Sequence, residues 1–154
     1  MKKNYFKLTL TVAIILVFIT CSCITTQKAA TTGGIDYYNI APEAGKSLVY
    51  IARPTTFGFA VPMNVECDGK VIGTNMGKNF IYCTAEPGEH IFTSYAENTH
   101  ELKITTEPGK VYYVLQKVKM GMALARCELE LMDDVIGKSK LKKCNLSKRM
   151  PKKE

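Results

Sequence analysis

The chain has 154 residues, 46% of them hydrophobic, with 21 basic and 14 acidic side chains and a formal charge of +7. That length provides for one domain with its own core and hardly for two. The charge is not the footprint of a nucleic-acid binder, because it sits at the ends: Lys2, Lys3 and Lys7 open the chain, eight basic residues follow Gly137, and residues 23–137 hold 13 acidic against 10 basic side chains.

The three opening lysines precede an apolar run from Leu8 to Ile19 and then small residues ahead of a cysteine, the three-part pattern of an export signal. The run is shorter than the roughly 20 apolar residues that span a bilayer, so residues 1–22 are expected to be removed. Lipoprotein signal peptidase needs a small residue before the cysteine that receives the lipid. Ser22 supplies it for Cys23, the expected attachment site, whereas the alternative, Cys21, follows the bulkier Thr20. An ordinary secretory leader is the competing reading. Ile24 and Thr25 after Cys23 include no Asp of the kind that retains enterobacterial lipoproteins at the inner membrane, so the expected place is the outer membrane, facing the periplasm.

Residues 23–45 mix Thr, Ala, Gln, Gly and Pro without periodicity and read as a tether, with Ile35, Tyr37, Tyr38 and Ile40 as candidates to dock on the domain. From Ser47 the texture becomes short β-branched and aromatic runs cut by Gly and Pro. Strands are predicted over 48–53, 63–68, 70–74, 80–85, 90–95, 101–106, 111–119 and 123–132. Asp68-Gly69 signals a type I′ hairpin that pairs Val65 with Ile72. Glu86-Pro87-Gly88 recurs 21 residues later as Glu107-Pro108-Gly109, so that Cys83 corresponds to Ile104 and His90 to Val111; the two corners are expected to be consecutive hairpins. Seven or eight short strands bury their apolar faces only against each other, which predicts an antiparallel β-sandwich over residues 46–137. A short helix is expected between Asp133 and Leu141, and residues 138–154 are read as a basic tail.

An exported chain meets membranes, envelope proteins and glycans rather than cytoplasmic nucleic acid. Lys142, Lys143, Lys148 and Arg149 are therefore candidate contacts for an anionic lipid, an anionic glycan or an acidic protein face, and Phe57 and Phe59 in the loop 54–62 are candidate partner contacts. Cys67, Cys83 and Cys127 keep strand parity with core residues; with Cys144 they allow three disulfide pairings, or none. No nucleophile elbow, phosphate-cradling loop or zinc-finger spacing is present, so no catalytic residue, metal or cofactor is expected. The alternative of a different class is an exported Cys/His enzyme or a soft-metal (copper) carrier built on Cys83, His90, Met120 or Met122.

The run from Ala44 to Pro54, the hairpin from Val65 to Gly73, and the corners Glu86-Pro87-Gly88-Glu89-His90 and Glu107-Pro108-Gly109-Lys110-Val111-Tyr112-Tyr113 together resemble the DUF2846 family of small bacterial envelope lipoproteins. The Pro-Gly corners are also similar to those of PEGA-type surface domains. The resemblance implies an exported, lipid-anchored β-sandwich and carries over no catalytic residue.

Overall fold

The computed structural model describes residues 31–32, 35–123 and 125–150; the expected leader, with Cys21 and Cys23, lies outside the described residues. A short antiparallel ribbon, β1 (Thr31–Thr32) with β2 (Ile35–Asp36), comes first. The strands of the domain follow where the alternation predicts them: β3 (Ser47–Arg53), β4 (Met63–Cys67), β5 (Lys70–Asn75), β6 (Asn79–Ala85), β7 (Gly88–Tyr95), β8 (Thr99–Thr106), β9 (Val111–Met120) and β10 (Ala125–Met132). Helix α1 (Asp134–Leu141) starts at Asp133, whose side chain accepts from Ile136 N at 2.8 Å, and β11 (Asn145–Leu146) closes the order. One sheet runs β10-β9-β3-β6-β11 and the other β5-β4-β7-β8.

The apolar faces meet between the sheets: Val49, Ile51, Ile81, Val114 and Leu129 from the first pack with Val65, Phe92 and Ile104 from the second. The Pro-Gly corners make this possible, and they are not hairpins. Pro87-Gly88 carries the chain from β6 in one sheet to β7 in the other, and Pro108-Gly109 carries it back from β8 to β9. A hairpin would keep successive strands in one sheet, whereas a crossing sets their apolar faces against each other. The corners lie side by side, Thr106 Oγ1 donating to the Glu86 carbonyl at 2.7 Å. Strand β9 therefore begins at the end where β3 begins, and the two run parallel from Leu48↔Val111 to Ala52↔Leu115, so this sheet is mixed rather than wholly antiparallel. The expected Asp68-Gly69 turn forms with φ of 50° and 77°. Val65 faces Gly73 rather than Ile72, because a bulge shifts the register; at Gly73 a Cβ would stand 3.1 Å from Ile81 and 3.2 Å from the Arg149 carbonyl.

All seven residues of β3 are buried. Val49 and Ile51 face the inter-sheet core, while Leu48, Tyr50 and Ala52 face outward and join Phe80, Tyr113, Leu141 and Cys144 in a second apolar cluster. Tyr37, Tyr38, Ile40 and Leu146 pack on that cluster. Tyr50 stacks on Tyr113 at 5.6 Å, donates to the Tyr37 carbonyl at 3.1 Å, and is pushed up to about 12 by burial. Tyr37, Tyr38 and Ile40 thus belong to the packed structure rather than to a free tether, whereas Ile35 is exposed, and residues 138–150 are not a solvated tail. Their basic side chains point outward while Leu141, Cys144 and Ser147 are buried, a division the charge run conceals.

Both open flanks of the sandwich are covered. Ser147 Oγ donates to the Thr74 carbonyl at 2.8 Å and Thr74 N donates to the Arg149 carbonyl at 3.1 Å, joining β5 to the C-terminal segment. On the other flank Asn98 bonds the Cys127 backbone at 2.8 and 3.0 Å, and Leu129 N donates to His100 Nδ1 at 3.2 Å, so two side chains take the place of a strand beside β10. Leu141→Ala is expected to cost about 2–5 kcal/mol in urea denaturation, as buried leucine truncations do, and ending the chain at Gly137 is expected to cost more, because it also uncovers Phe80.

Candidate functional site

Two clusters of polar side chains occupy opposite ends of the sandwich. The first is built at the corner where β6 turns into β7. The Asp68-Gly69 turn holds Asp68 against the first residues of β7, with Asp68 N donating to the Ile91 carbonyl and Ile91 N to Asp68 Oδ1, both at 2.9 Å. His90 then lies between Asp68 Oδ2, 2.6 Å from Nδ1, and the Glu86 carbonyl, 2.7 Å from Nε2. A carbonyl only accepts, so Nε2 carries a proton; an ionised carboxylate only accepts, so Nδ1 carries one too. The pair is an imidazolium and a carboxylate, and each partner favours the charged form of the other: Asp68, then the Glu86 carbonyl, raise His90, while His90, then Ile91 N, lower Asp68.

Cys67 Sγ stands 3.7 Å from Asp68 Oδ2, and one donor atom each from Cys67, Asp68 and His90 lie within 4.8 Å of one another. Cys83 neighbours Cys67 from the opposite sheet; its thiol lowers that of Cys67, and Cys67 together with burial raises Cys83 well above its ordinary value. Cys67, Cys83 and Cys127 all carry free thiols, and Cys127 is spent elsewhere, its Sγ 3.2 Å from the Ser94 carbonyl. Of the residues named for the alternative Cys/His or soft-metal reading, Cys83 and His90 come to this corner. Met120 and Met122 do not: they are 79% and 98% exposed beside Glu97, which accepts from Met122 N at the far end of β7. As a general base His90 is poorly disposed, since both ring nitrogens are already engaged.

The second cluster surrounds a groove of about 530 Å³ between the end of β3, strand β9 and helix α1, where Lys78, Lys117, Lys119, Lys140 and Lys143 converge with Pro54 and Thr55. Lys117 and Lys119 pair with Glu130 and Glu128 across the β9–β10 ladder. A smaller groove of about 270 Å³ beside it is lined by Lys148 and Arg149 with Asn79 and Leu146. Of the four basic residues expected to contact a partner, Lys143 enters the first groove and Lys148 and Arg149 the second, while Lys142 is exposed near Asp36. Phe57 and Phe59, 50% and 63% exposed, ride on the adjoining loop, which Arg53 anchors by donating to the Gly58 and Val61 carbonyls at 2.5 and 2.6 Å. Gly77 N donates to the Phe59 carbonyl at 2.9 Å, so the aromatic loop and the Lys78 edge are one surface.

Residues 43–128 match the family described as a protein of unknown function, DUF2846. The chain belongs to the DUF2846 family. An uncharacterised protein of Haemophilus influenzae is 33% identical over 108 residues, 70% of this chain and 64% of that protein, so the match spans less than two thirds of the relative's length. No solved structure matches the chain. The DUF2846 region contains Cys67, Asp68, Cys83 and His90 and stops before α1 and β11, so Lys140, Lys143, Lys148 and Arg149 lie beyond it.

Cys83 and His90, on both sides of a corner that returns the chain toward itself, were legible in the sequence as an alternative Cys/His set. Cys67-Asp68, far away in sequence, had no such mark. His90, raised, stabilises the fold fully below its ordinary 6.5 and loses that contribution as pH climbs through its folded value; Asp68, lowered, contributes above its ordinary 3.8 and loses it as pH falls. In chelator-treated buffer the stability cost of His90→Val is therefore expected to be largest between the ordinary values of Asp68 and His90 and to shrink as pH rises above that of His90. A cost that does not shrink on the alkaline side in urea melts contradicts an ionised pair.

Proposed function

We propose that the chain is a lipid-anchored protein of the bacterial envelope, acylated at Cys23, whose β-sandwich is a non-catalytic binding module that turns its basic end to an anionic membrane surface. The observation that carries this reading is where the chain enters the fold. Tyr38 OH donates to the Cys144 carbonyl at 2.7 Å, and Lys142 acts on the Asp36 carboxylate, so the segment leading from the N-terminus joins the domain beside the basic segment. Eleven residues lie between Cys23 and Ile35, a reach of at most about 43 Å over the twelve steps. An anchor at Cys23 therefore holds the lysines, and the exposed Phe57 and Phe59 next to them, close to the bilayer it enters. Each Lys or Arg near an anionic leaflet contributes about 1 kcal/mol, and aromatic side chains add apolar burial at the head-group level. The covered flanks of both sheets argue against a role as a self-assembling subunit that adds strand to strand.

Two measurements test this. Metabolic labelling with a clickable palmitate is expected to mark the wild type and Cys21→Ala but not Cys23→Ala; label lost only from Cys21→Ala moves the anchor, and label on neither protein removes it. In flotation assays residues 24–154, made without the lipid, are expected to bind phosphatidylglycerol vesicles and not phosphatidylcholine ones, with binding falling as salt rises. Reversing Lys140, Lys143, Lys148 and Arg149 to Glu is expected to abolish it. Equal binding to both vesicle types, or none to either while an acidic polysaccharide is retained, sinks the membrane reading.

A further inference from the structure

We propose that Cys67, Cys83, Asp68 and His90 form a binding site for one thiophilic divalent cation, of which zinc fits best, joining the two sheets at the first Pro-Gly corner. This inference is independent of the anchor and of the basic end. Among the described residues, Cys67, Asp68 and His90 are the one group of three or more His, Cys, Asp or Glu side chains whose donor atoms converge, all within 4.8 Å. Cys83, which neighbours Cys67 from the other sheet, lies outside that group and is the proposed fourth donor, to be drawn in by the ion. Two thiolates, an imidazole and a carboxylate are a tetrahedral zinc set, softer than calcium or magnesium accept.

The surroundings of His90 fit a ligand. Its Nε2 is held by the Glu86 carbonyl at 2.7 Å, the outer contact that orients a metal-bound imidazole, and this leaves Nδ1 pointing at Asp68 and Cys67. Donors around zinc at about 2.0–2.3 Å lie roughly 3.3–3.8 Å apart. Cys67 Sγ and Asp68 Oδ2, at 3.7 Å, already have that spacing. The Nδ1 to Oδ2 distance of 2.6 Å must open and Cys83 must close in; Asp68 is a half-exposed side chain at the tip of a turn. The ion takes the place of the proton between His90 and Asp68; binding releases that proton and those of the two thiols, with no change in oxidation state.

The internal repeat supplies a control within the chain. At the second corner the positions of Cys83 and His90 are held by Ile104 and Val111, so the crossing itself requires neither a thiol nor an imidazole. An ion pair accounts for His90 and Asp68 but gives no reason for the two neighbouring thiols beside it.

Cobalt and zinc titrations of residues 24–154, reduced and stripped with chelator, decide the matter. The wild type is expected to take up one equivalent of cobalt with a thiolate charge-transfer band in the near ultraviolet and the visible bands of a tetrahedral site. Zinc should displace it and raise the melting temperature. Cys67→Ser, Cys83→Ile and His90→Val, the last two being the residues of the second corner, are expected to weaken binding by more than the roughly 100-fold that loss of an outer contact costs. Cys127→Ser and Cys144→Ser are expected to leave it unchanged. Should Cys67→Ser fail to fold, the Cys83 and His90 variants carry the test. Absence of the thiolate band in the fully reduced wild type, equal binding by the His90 and Cys83 variants, or a Cys67–Cys83 disulfide in protein recovered from cells under non-reducing conditions overturns the proposal.

Discussion

Strand β3 is apolar on both faces, and most other layers of the molecule are placed by the need to cover it. Val49 and Ile51 demand a second sheet on one side; Leu48, Tyr50 and Ala52 demand something else on the other. Fully burying a residue of this size is worth about 1.5–3 kcal/mol, so leaving the outer face wet would forfeit a large part of the net stability of a small domain. The cover comes from both ends of the chain. Tyr37, Tyr38 and Ile40 arrive from one side, and α1 arrives from the other. At Gly137 the helix lies so close to Tyr113 that a Cβ would stand 2.3 Å from the ring.

Around this apolar middle the two ends of the sandwich are polar for different reasons. At the basic end Arg53 is wholly buried with backbone carbonyls as its partners, those of Val61, Gly58 and Asn75, and burial lowers its pKa. Its Nε, with Asn75 Oδ1 and Gln116 Oε1, has no hydrogen-bond partner, a cost that an apolar residue at this position would avoid. What the guanidinium does in return is fix the loop that presents Phe57 and Phe59. At the opposite end the crossing corners bring a thiol, an imidazole and a carboxylate together near the surface, with the Cys83 thiol beside them, and exchange with solvent remains open to Asp68.

The two ends also differ in how the chain could have arrived at them. The lysines of the basic end are outward-facing residues of segments whose apolar residues do the packing, so their positions follow from α1 and β11 covering β3. The corner cluster draws on β4, β6 and β7, which meet only because the sheets face each other.

The eight strands were legible in the sequence because period-two alternation and the Asp-Gly and Pro-Gly turns are local properties of a half-buried sheet. The strand over 48–53 was among them, but that both of its faces are covered shows only in the structure. Three further things were decided only by tertiary structure. The Pro-Gly corners cross between sheets, because turn chemistry sets φ and ψ but not which strand the next one pairs with. The basic segment packs instead of trailing, because Leu141, Cys144 and Leu146 are too few to outweigh eight charges in any composition count yet land on one hydrophobic face. Cys67, Asp68, Cys83 and His90 become neighbours, since their separation in sequence is closed by the stacking of two sheets about 10 Å apart, a distance no pattern along one strand encodes. The sequence by itself thus determined the strands, their inward faces and their turns, while the fold alone decided which faces were left to cover and which donors came to share a corner.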